Sequence, residues 1–251
     1  MKVIPTIDLK AGHVVRAVAG QRESYREIES QLIKGSDPIT MGRAFVDQFG
    51  FRHAYVADLD AIEGADPAWE TFVGLASCGL SLWIDAGLSD KGRIERICEF
   101  ADDHPTVSGI LFGLESVPNL ELVTEGLSLA GSQRFIFSLD MKNGQPLARS
   151  KEWSTKAVAN IAEEICEAGV QQMLLIDLAT VGMHGGCGTD RLCRILHHKH
   201  PTVKFYAGGG IRNASDLETL AQHGCTAAVV SSSLHDGWLT KEDLEPYDLG
   251  G

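Results

Sequence analysis

Five short apolar runs of the chain end on an aspartate, a residue type that moves protons. These aspartates are Asp8, Asp58, Asp85, Asp140 and Asp177. A positioned carboxyl group is a general base when ionised and a general acid when protonated, and two in different environments can serve one substrate in both roles. An aspartate at a strand end also caps the next loop or helix. Five such positions among eight apolar runs exceed what capping requires.

Two of these aspartates occupy matching places in a weak internal repeat. The run VIPTIDL at residues 3–9 resembles RFIFSLD at residues 134–140, and HAYVADL resembles QMLLIDL in the same way. This similarity indicates two related halves of four units each. Asp8 and Asp140 would then face each other across one pocket, where they could act as base and acid.

A second pattern predicts a phosphate site. Residues 208–210 are three glycines that follow one apolar run, and residues 231–233 are three serines that follow the next. Glycines let the backbone approach a ligand closely and leave the amides unshielded, while serine hydroxyls add hydrogen-bond donors. A flexible turn followed by an ordinary serine loop is the alternative explanation of the same residues.

The elements that must position these residues are eight short apolar runs separated by amphipathic segments. Each run has four to eight residues rich in Val, Ile, Leu or Phe, as expected of parallel strands covered on both faces. Several intervening segments begin with Ser, Thr or Asp and end with Gly, as helices do. Eight such units in 251 residues favour a single-domain (β/α)₈ TIM barrel over residues 1–251 rather than a doubly wound sheet. Catalytic residues of that fold lie at the C-terminal strand ends, with phosphate near strands seven and eight.

The amino-acid composition restricts the classes of molecule that the protein is expected to bind. A net charge of −12 without a basic stripe argues against nucleic acid and anionic membranes, but not against a small phosphorylated ligand. No apolar run is long enough for a membrane helix and the start lacks a signal-peptide pattern, so a cytoplasmic protein is expected. The six cysteines form no CxxC pair, so neither a zinc site nor a disulfide framework is indicated. The residues do not fix the oligomeric state, although a monomer is slightly favoured.

Four stretches are similar to the HisA/HisF family of histidine biosynthesis. They are VIPTIDLKAGHVVRAV, YVADLDAIEG, FSLDMKNG and AGGGIRNASDLETLAQHGCTAAVVSSSL. The resemblance implies a half-barrel duplication, a substrate with a phosphate at each end, no cofactor or metal, and an Amadori rearrangement of an aminoaldose to an aminoketose. It implies Asp8 as the general base, Asp140 as the general acid and Trp153 as a residue that stacks on the substrate. The expected substrate- and phosphate-binding residues are Gly209, Gly210, Ser231, Ser232, Ser233, Trp153 and Asp177.

Other stretches depart from the family pattern. Asp85 replaces a glycine of the expected first-half phosphate site, Ile176 replaces a threonine, and a serine replaces the glycine that usually ends strand eight. The segment GQRESYREIESQL at residues 20–32 looks more like a HisA/HisF-related branch associated with one-carbon, methanopterin-type cofactor synthesis. Two alternatives therefore remain: a barrel of that branch with another phosphorylated substrate, and a non-catalytic barrel that binds a phosphate ligand.

Two further expectations concern the loop after the sixth strand and the choice between an enzyme and a barrel that only binds its ligand. His184 and Cys187 in MHGGCG could contact a ligand near the mouth of the barrel. Convergence of the Asp8 and Asp140 carboxyl groups on one pocket would favour the enzyme. Carboxyl groups that are splayed apart or salt-bridged would favour the binding barrel.

Overall fold

The computed structural model describes residues 1–183 and 187–250, and its central feature is a closed barrel of eight parallel strands. The strands are β1 (Lys2–Lys10), β2 (His53–Asp58), β3 (Ser81–Asp85), β4 (Val107–Gly113), β5 (Phe135–Lys142), β6 (Gln172–Asp177), β7 (Lys204–Gly208) and β8 (Ala227–Val230). Each strand pairs with the next, and β1 closes the barrel by pairing with β8. The predicted (β/α)₈ architecture is confirmed.

Seven helices of at least seven residues follow the first seven strands. They are α1 (Pro38–Ala44), α2 (Trp69–Ser77), α3 (Lys91–Asp103), α4 (Leu120–Ala130), α5 (Val158–Glu167), α6 (Asp190–Lys199) and α7 (Ala214–Gln222). Shorter elements are strands His13–Arg16, Arg26–Glu27 and Gln145–Pro146, helical turns Arg22–Ser24, Leu59–Ile62, Lys151–Ser154, Ser232–His235 and Lys241–Leu244, and the π-helix Phe45–Phe49. In α5 the buried residues Val158, Ile161, Ala162 and Ile165 recur at helical spacing, so one stripe packs on the barrel.

Two apolar clusters fill the molecule because strand side chains alternate between two faces. The larger cluster joins the helices to the outer face of the barrel. The smaller one fills the barrel interior with residues such as Ile4, Tyr55, Trp83 and Tyr206, and the rings of Trp83 and Tyr206 lie 4.7 Å apart. These side chains fill the barrel below the C-terminal strand ends, where a cavity lies.

The first strands of the two sequence halves share an extension that the other strands lack. β1 turns back into strand His13–Arg16, and β5 turns back into strand Gln145–Pro146, both as antiparallel hairpins. Asp8 pairs in register with Ala57 of β2, and Asp140 pairs with Ile176 of β6. These matching features are those expected of the predicted half-barrel duplication.

The segment that follows β1, residues 11–37, reaches across the mouth of the barrel. The Ala19 amide donates to the Val181 carbonyl oxygen at 2.9 Å, and the Gln31 amide donates to the His235 carbonyl oxygen at 2.9 Å. The Arg16 guanidinium binds both carboxylate oxygens of Asp236. The segment is therefore anchored to the loops after β6 and β8 and forms a roof over the cavity.

The cysteines depart from the expectation at one pair. Cys193 of α6 and Cys225 before β8 form a disulfide, with Cα atoms 6.4 Å apart, while Cys78, Cys98, Cys166 and Cys187 are free. Motif spacing missed this pair because 32 residues separate its members and only the packing of neighbouring barrel units brings them together. Within residues 1–183 and 187–250, no helix is long and apolar enough to cross a membrane.

Candidate active site

Strand alternation decides which strand-end aspartates face the barrel interior. Those that line the interior cavity are Asp8, Asp85 and Asp140. Ala57 of β2 and Ile176 of β6 face the interior, so Asp58 and Asp177, each one residue further along, point to the opposite face. Three carboxyl groups from β1, β3 and β5 therefore converge at one end of the barrel.

The cavity between these strand ends has a volume of about 900 Å³, which includes solvent at its mouth. Its polar lining consists of Thr6, Asp8, Arg22, Tyr25, Tyr55, Asp85, Glu115, Asp140, Gly209, Gly210, Ser231 and Ser232. The structure thus brings Asp8 and Asp140 together with four of the residues expected to bind phosphate. The lining has two different ends, with carboxyl groups near β3 and β4 and glycine and serine residues after β7 and β8.

Asp8 lies in the cavity without a hydrogen bond or ion pair to the described part of the chain. Burial raises the pKa of its carboxyl group to about 7, and the charge of Arg22 opposes that rise. A carboxyl group with this pKa exchanges protons readily at neutral pH, which is the property required of a general base.

Asp140 has a different environment. Its Oδ1 accepts a hydrogen bond from the Ser138 hydroxyl at 2.7 Å, and its Oδ2 accepts one from the Glu115 amide at 3.4 Å. Burial, followed by the negative charges of Glu115 and Asp85, raises the pKa of Asp140 well above its usual range. The raised pKa favours the protonated form of Asp140, which can donate a proton, whereas Asp8, with a pKa of about 7, is partly ionised at neutral pH.

Asp85 lies beside Asp140, and both carboxyl groups are close to Gly113, the last residue of β4. A methyl carbon built on Gly113 would lie 3.2 Å from Oδ2 of Asp140 and 3.6 Å from Oδ2 of Asp85. Burial, and then the nearby Glu115 charge, raises the pKa of Asp85 to about 7. The two carboxyl groups lie close together, and a methyl group at residue 113 would press against Asp140.

An ion pair crosses the mouth above these carboxyl groups. The Arg22 guanidinium, from the roof segment, donates to the carboxylate of Glu115, from the loop after β4. Both side chains are largely buried, with 25% and 18% of their surface exposed. Among the lining side chains Arg22 is the one with a permanent positive charge, and its partner already neutralises much of it.

Two tyrosine hydroxyls also face the cavity. Tyr25 and Tyr55 are 9% and 6% exposed, and neither hydroxyl forms a hydrogen bond within residues 1–183 and 187–250. Burial, with the charge of Asp8 next, raises the pKa of Tyr25 to about 12, and burial with the charge of Asp85 raises the pKa of Tyr55 well above its usual value. Both are neutral hydrogen-bond donors at physiological pH.

The opposite end of the cavity presents bare backbone. The amides of Gly209, Gly210 and Ser232 line it without donating to any residue that the structure describes. Gly209 has a φ of +92°, and a methyl group there would lie 2.8 Å from Thr180 Oγ1. Only glycine fits this position without strain, and free backbone amides of this kind are able to bind an anion.

Three of the expected site residues lie elsewhere. Trp153 is 1% exposed, packs against Phe137 and donates its indole N–H to Glu164 at 3.2 Å, so it belongs to the core of this structure. Asp177 accepts hydrogen bonds from the amides of Asn143, Gly144 and Ala179, which fixes the loop after β5. Ser233 is 1% exposed and does not line the cavity. His184 lies outside the described residues.

Sequence reasoning missed Glu115 and Tyr55, and it interpreted Asp85 as a replacement of a phosphate-site glycine. Glu115 comes two residues after the end of β4, and Tyr55 lies three residues before the end of β2. Their distance from the strand ends in sequence hides their place in the site. Tyr25 was indicated by sequence through its place in the segment at residues 20–32.

Comparisons with known proteins identify the family of the chain. The family profile described as histidine biosynthesis protein matches residues 2–240. A Bacteroides fragilis protein named 1-(5-phosphoribosyl)-5-((5-phosphoribosylamino)methylideneamino)imidazole-4-carboxamide isomerase is 26% identical over 248 residues, 98% of this chain and 99% of the relative. A Caldicellulosiruptor bescii protein of the same name is 28% identical over 251 residues, 97% of this chain and 98% of the relative. A protein of Methanocaldococcus jannaschii, named as uncharacterized, is 27% identical over 246 residues, 97% of each chain.

Proposed function

Because the chain belongs to the HisA/HisF family of histidine biosynthesis proteins, we propose that it is an aldose–ketose isomerase that converts a phosphorylated aminoaldose to an aminoketose. Asp8 is the general base and Asp140 the general acid. The substrate is a small phosphorylated molecule, and the protein works in the cytoplasm. The names of its relatives, which describe isomerases of a phosphoribosylamino compound, support this assignment.

The observation that carries the proposal is the shared cavity of Asp8 and Asp140. Both carboxyl groups line it, and neither forms an ion pair within the described part of the chain. Carboxyl groups held in salt bridges would favour the alternative, a barrel that only binds its ligand. The pKa of Asp8 is raised to about 7 and that of Asp140 well beyond its usual range, which separates their roles.

The reaction needs two proton transfers that these residues can perform. Asp140 gives a proton to the ring oxygen as the C1–O bond breaks, and the electron pair on nitrogen forms a C1=N bond. Asp8 then removes the proton on C2, so that a C1=C2 double bond forms and the nitrogen recovers its electron pair. Return of a proton to C1 and loss of the proton on the C2 hydroxyl give the aminoketose. Each positioned carboxyl group is expected to contribute about 10² to 10⁴ in rate.

The free amides of Gly209, Gly210 and Ser232 are proposed to hold a substrate phosphate. Serine hydroxyls at Ser231 and Ser232 add donors at the same end of the cavity. A phosphate fixed there would hold C1 and C2 between Asp8 and Asp140, so that binding energy from the remote group supplies orientation at the reacting carbons.

Turnover in heavy water tests the proposal. The purified protein is incubated in D₂O with the bis-phosphoribosyl aminoaldose named in its relatives, and with singly phosphorylated aldosylamines, and products are followed by NMR. An isomerase is expected to form a 1-amino-2-ketose with deuterium on C1. Asp66→Asn, which removes one exposed surface carboxylate, is the matched control for Asp8→Asn. Binding of these compounds without conversion or exchange would instead identify a binding barrel.

A further inference from the structure

We propose that this site takes a substrate with a single phosphate, whose other end carries a cation, such as an ammonium or protonated amidine group, bound by Asp85, Glu115 and Tyr55. The inference rests on the proposed function for the position of the phosphate and of the reacting carbons. It departs from the substrate named in the relatives, which carries two phosphoribosyl groups.

The charge at the β3–β4 end of the cavity opposes a second phosphate. Asp85 and Glu115 line this end, and Asp140 is close to both. These carboxyl groups face one guanidinium, that of Arg22. A phosphate brought here would add negative charge to a poorly solvated acidic site, where like charges repel strongly.

Arg22 is already engaged. Its guanidinium pairs with the carboxylate of Glu115, and its charge also acts on Asp8. For Arg22 to bind a second phosphate it would have to leave Glu115 unpaired in a largely buried position. Breaking a buried pair in this way is strongly unfavourable.

The backbone after β3 differs from the backbone after β7, its counterpart in the other half. The Gly87 amide donates to Oδ1 of Asp85 at 3.1 Å, whereas the amides of Gly209 and Gly210 after β7 donate to no residue that the structure describes. Asp90 caps the first turn of α3 by accepting from the Arg93 amide at 3.0 Å. The Arg93 side chain is itself bound to the carbonyl oxygens of Gly87, Ala61, Ala65 and Ala86. Two donors of this region, the Gly87 amide and the Arg93 guanidinium, are therefore used within the protein.

The Tyr55 hydroxyl is an independent sign that a ligand group belongs here. Tyr55 is 6% exposed, lines the cavity and has no hydrogen-bond partner within the described residues. The hydroxyl faces the cavity and no described residue satisfies it, so it is available to hydrogen-bond a ligand group. Its oxygen can accept a hydrogen bond from an ammonium group that also contacts the carboxylate of Asp85.

A cation fits this end better than a neutral group. Oδ2 of Asp85 and the carboxylate of Glu115 offer acceptors on two sides, and a positive charge between them offsets the repulsion that the carboxyl groups exert on one another. The substrate class that matches both ends is a sugar monophosphate joined to an amino or amidine-bearing group.

Three probes with the same six-carbon chain test the inference by calorimetry at pH 7.5. They are 6-aminohexyl phosphate, 6-hydroxyhexyl phosphate and hexane-1,6-diyl bisphosphate, which differ only in the group opposite the phosphate. The expected order of affinity is amine, then hydroxyl, then bisphosphate, with at least tenfold between the first and the last. Equal or tighter binding of the bisphosphate overturns the proposal.

Variants then assign the selectivity to residues. Asp85→Asn keeps the hydrogen bond from Gly87, and Glu115→Gln keeps an acceptor for Arg22, so both are expected to fold. Each should reduce the ratio of amine to bisphosphate affinity by at least threefold, and Tyr55→Phe should weaken the amine and hydroxyl probes but not the bisphosphate. Asp66→Asn, an exposed position, should leave the ratio unchanged. An unchanged ratio in Asp85→Asn and Glu115→Gln contradicts the assignment.

Failure of this inference and failure of the proposed function give different results. Efficient isomerisation of the bis-phosphoribosyl compound would refute the singly phosphorylated substrate and leave the isomerase intact. Tenfold preference for the amine probe, without isomerisation of any aldosylamine, would refute the isomerase and retain the binding assignment.

Discussion

Oδ2 of Asp85 and Oδ2 of Asp140 both lie next to Gly113, each within 4 Å of the position that a methyl carbon on this residue would occupy. Two carboxyl groups this close in a buried site disfavour simultaneous ionisation. The negative charge of Asp85 raises the pKa of Asp140 further above its usual range. The pair therefore keeps a proton available at neutral pH, and Asp85 helps to maintain Asp140 as an acid.

Asp85→Asn is expected to stabilise the protein at alkaline pH. The folded-state pKa of Asp85, about 7, lies above the unfolded value, so the folded protein binds more protons and its stability falls as pH rises from about 4 through about 7. Removing the charge should raise the free energy of unfolding at pH 8 by about 2 kcal/mol and change little at pH 4. Urea unfolding at both pH values measures the difference. A loss of stability at pH 8 would contradict the burial argument.

The pH profile of the isomerase should have an ascending limb near pH 7. Asp8 must be ionised to act as a base, and its pKa of about 7 means that protonation removes activity as the pH falls through that value. Burial, and then the charges of Glu115 and Asp85, raise the pKa of Asp140 as well, which favours its protonated form as the acid. The profile of kcat/KM between pH 5 and 9 checks this expectation, and a flat profile below pH 7 would exclude Asp8 as the base.

Arg22→Gln should move that limb to higher pH. The guanidinium charge lowers the pKa of Asp8 against the effect of burial, so its removal allows the pKa to rise. Activity should then appear only at more alkaline pH, while turnover at pH 9 falls less than turnover at pH 7. Lys91→Gln, at an exposed ion pair on the outside of the barrel, serves as the comparison. A limb that moves towards lower pH would show that Arg22 does not act on Asp8.

Asp8→Asn is expected to lower kcat by about 10² to 10⁴ while binding of phosphorylated ligands changes little. The amide has the same shape but cannot accept the proton from C2, and Asp8 has no partner within the described residues whose hydrogen bond would be lost. Single-turnover kinetics and calorimetry separate the two quantities. Unchanged turnover would remove Asp8 from the mechanism.

Gly209→Ala should weaken phosphate binding more than it weakens the fold. Gly209 has a φ of +92°, and the added methyl would lie 2.8 Å from Thr180 Oγ1 and 2.9 Å from the Asp177 carbonyl oxygen. Gly131→Ala is the control, because Gly131 has a φ of +73° and open space around it. Both should lose about 1–2 kcal/mol of stability through backbone strain, and Gly209→Ala should lose more because its methyl would contact Thr180 and Asp177. Only Gly209→Ala should lose affinity for inorganic phosphate, and equal losses in both variants would contradict the anion site.

The barrel, its eight strands and the Asp8–Asp140 pair could be predicted from sequence because short apolar runs recur at regular spacing and both aspartates end such runs. Asp177 shows the limit of that reasoning. In a strand buried on both faces the sequence does not reveal which residues face the interior, and a shift of one position sends a carboxyl group to the opposite face. Trp153 shows a second limit, because an indole in a loop can pack into the core or face a ligand with the same sequence.

Glu115 and Tyr55 could not be found from sequence for a related reason. Tyr55 lies inside an apolar run and Glu115 follows the glycine that ends strand four, and their role depends on where neighbouring strands place Asp85 and Asp140. Their contribution is set by distances of a few ångströms across the barrel, between residues far apart in the chain. The Arg22–Glu115 pair, which joins the roof to the loop after β4, likewise has no signature in residue spacing.

The two ends of the cavity come from different halves of the duplicated barrel. The free amides of Gly209 and Ser232 belong to the second half, and the carboxyl groups of Asp85 and Glu115 belong to the first. An ancestral gene that kept its second half could therefore acquire new chemistry by divergence of the first alone. Chimaeras that exchange first halves between related barrels offer protein engineers a direct route to catalysts with altered substrate specificity.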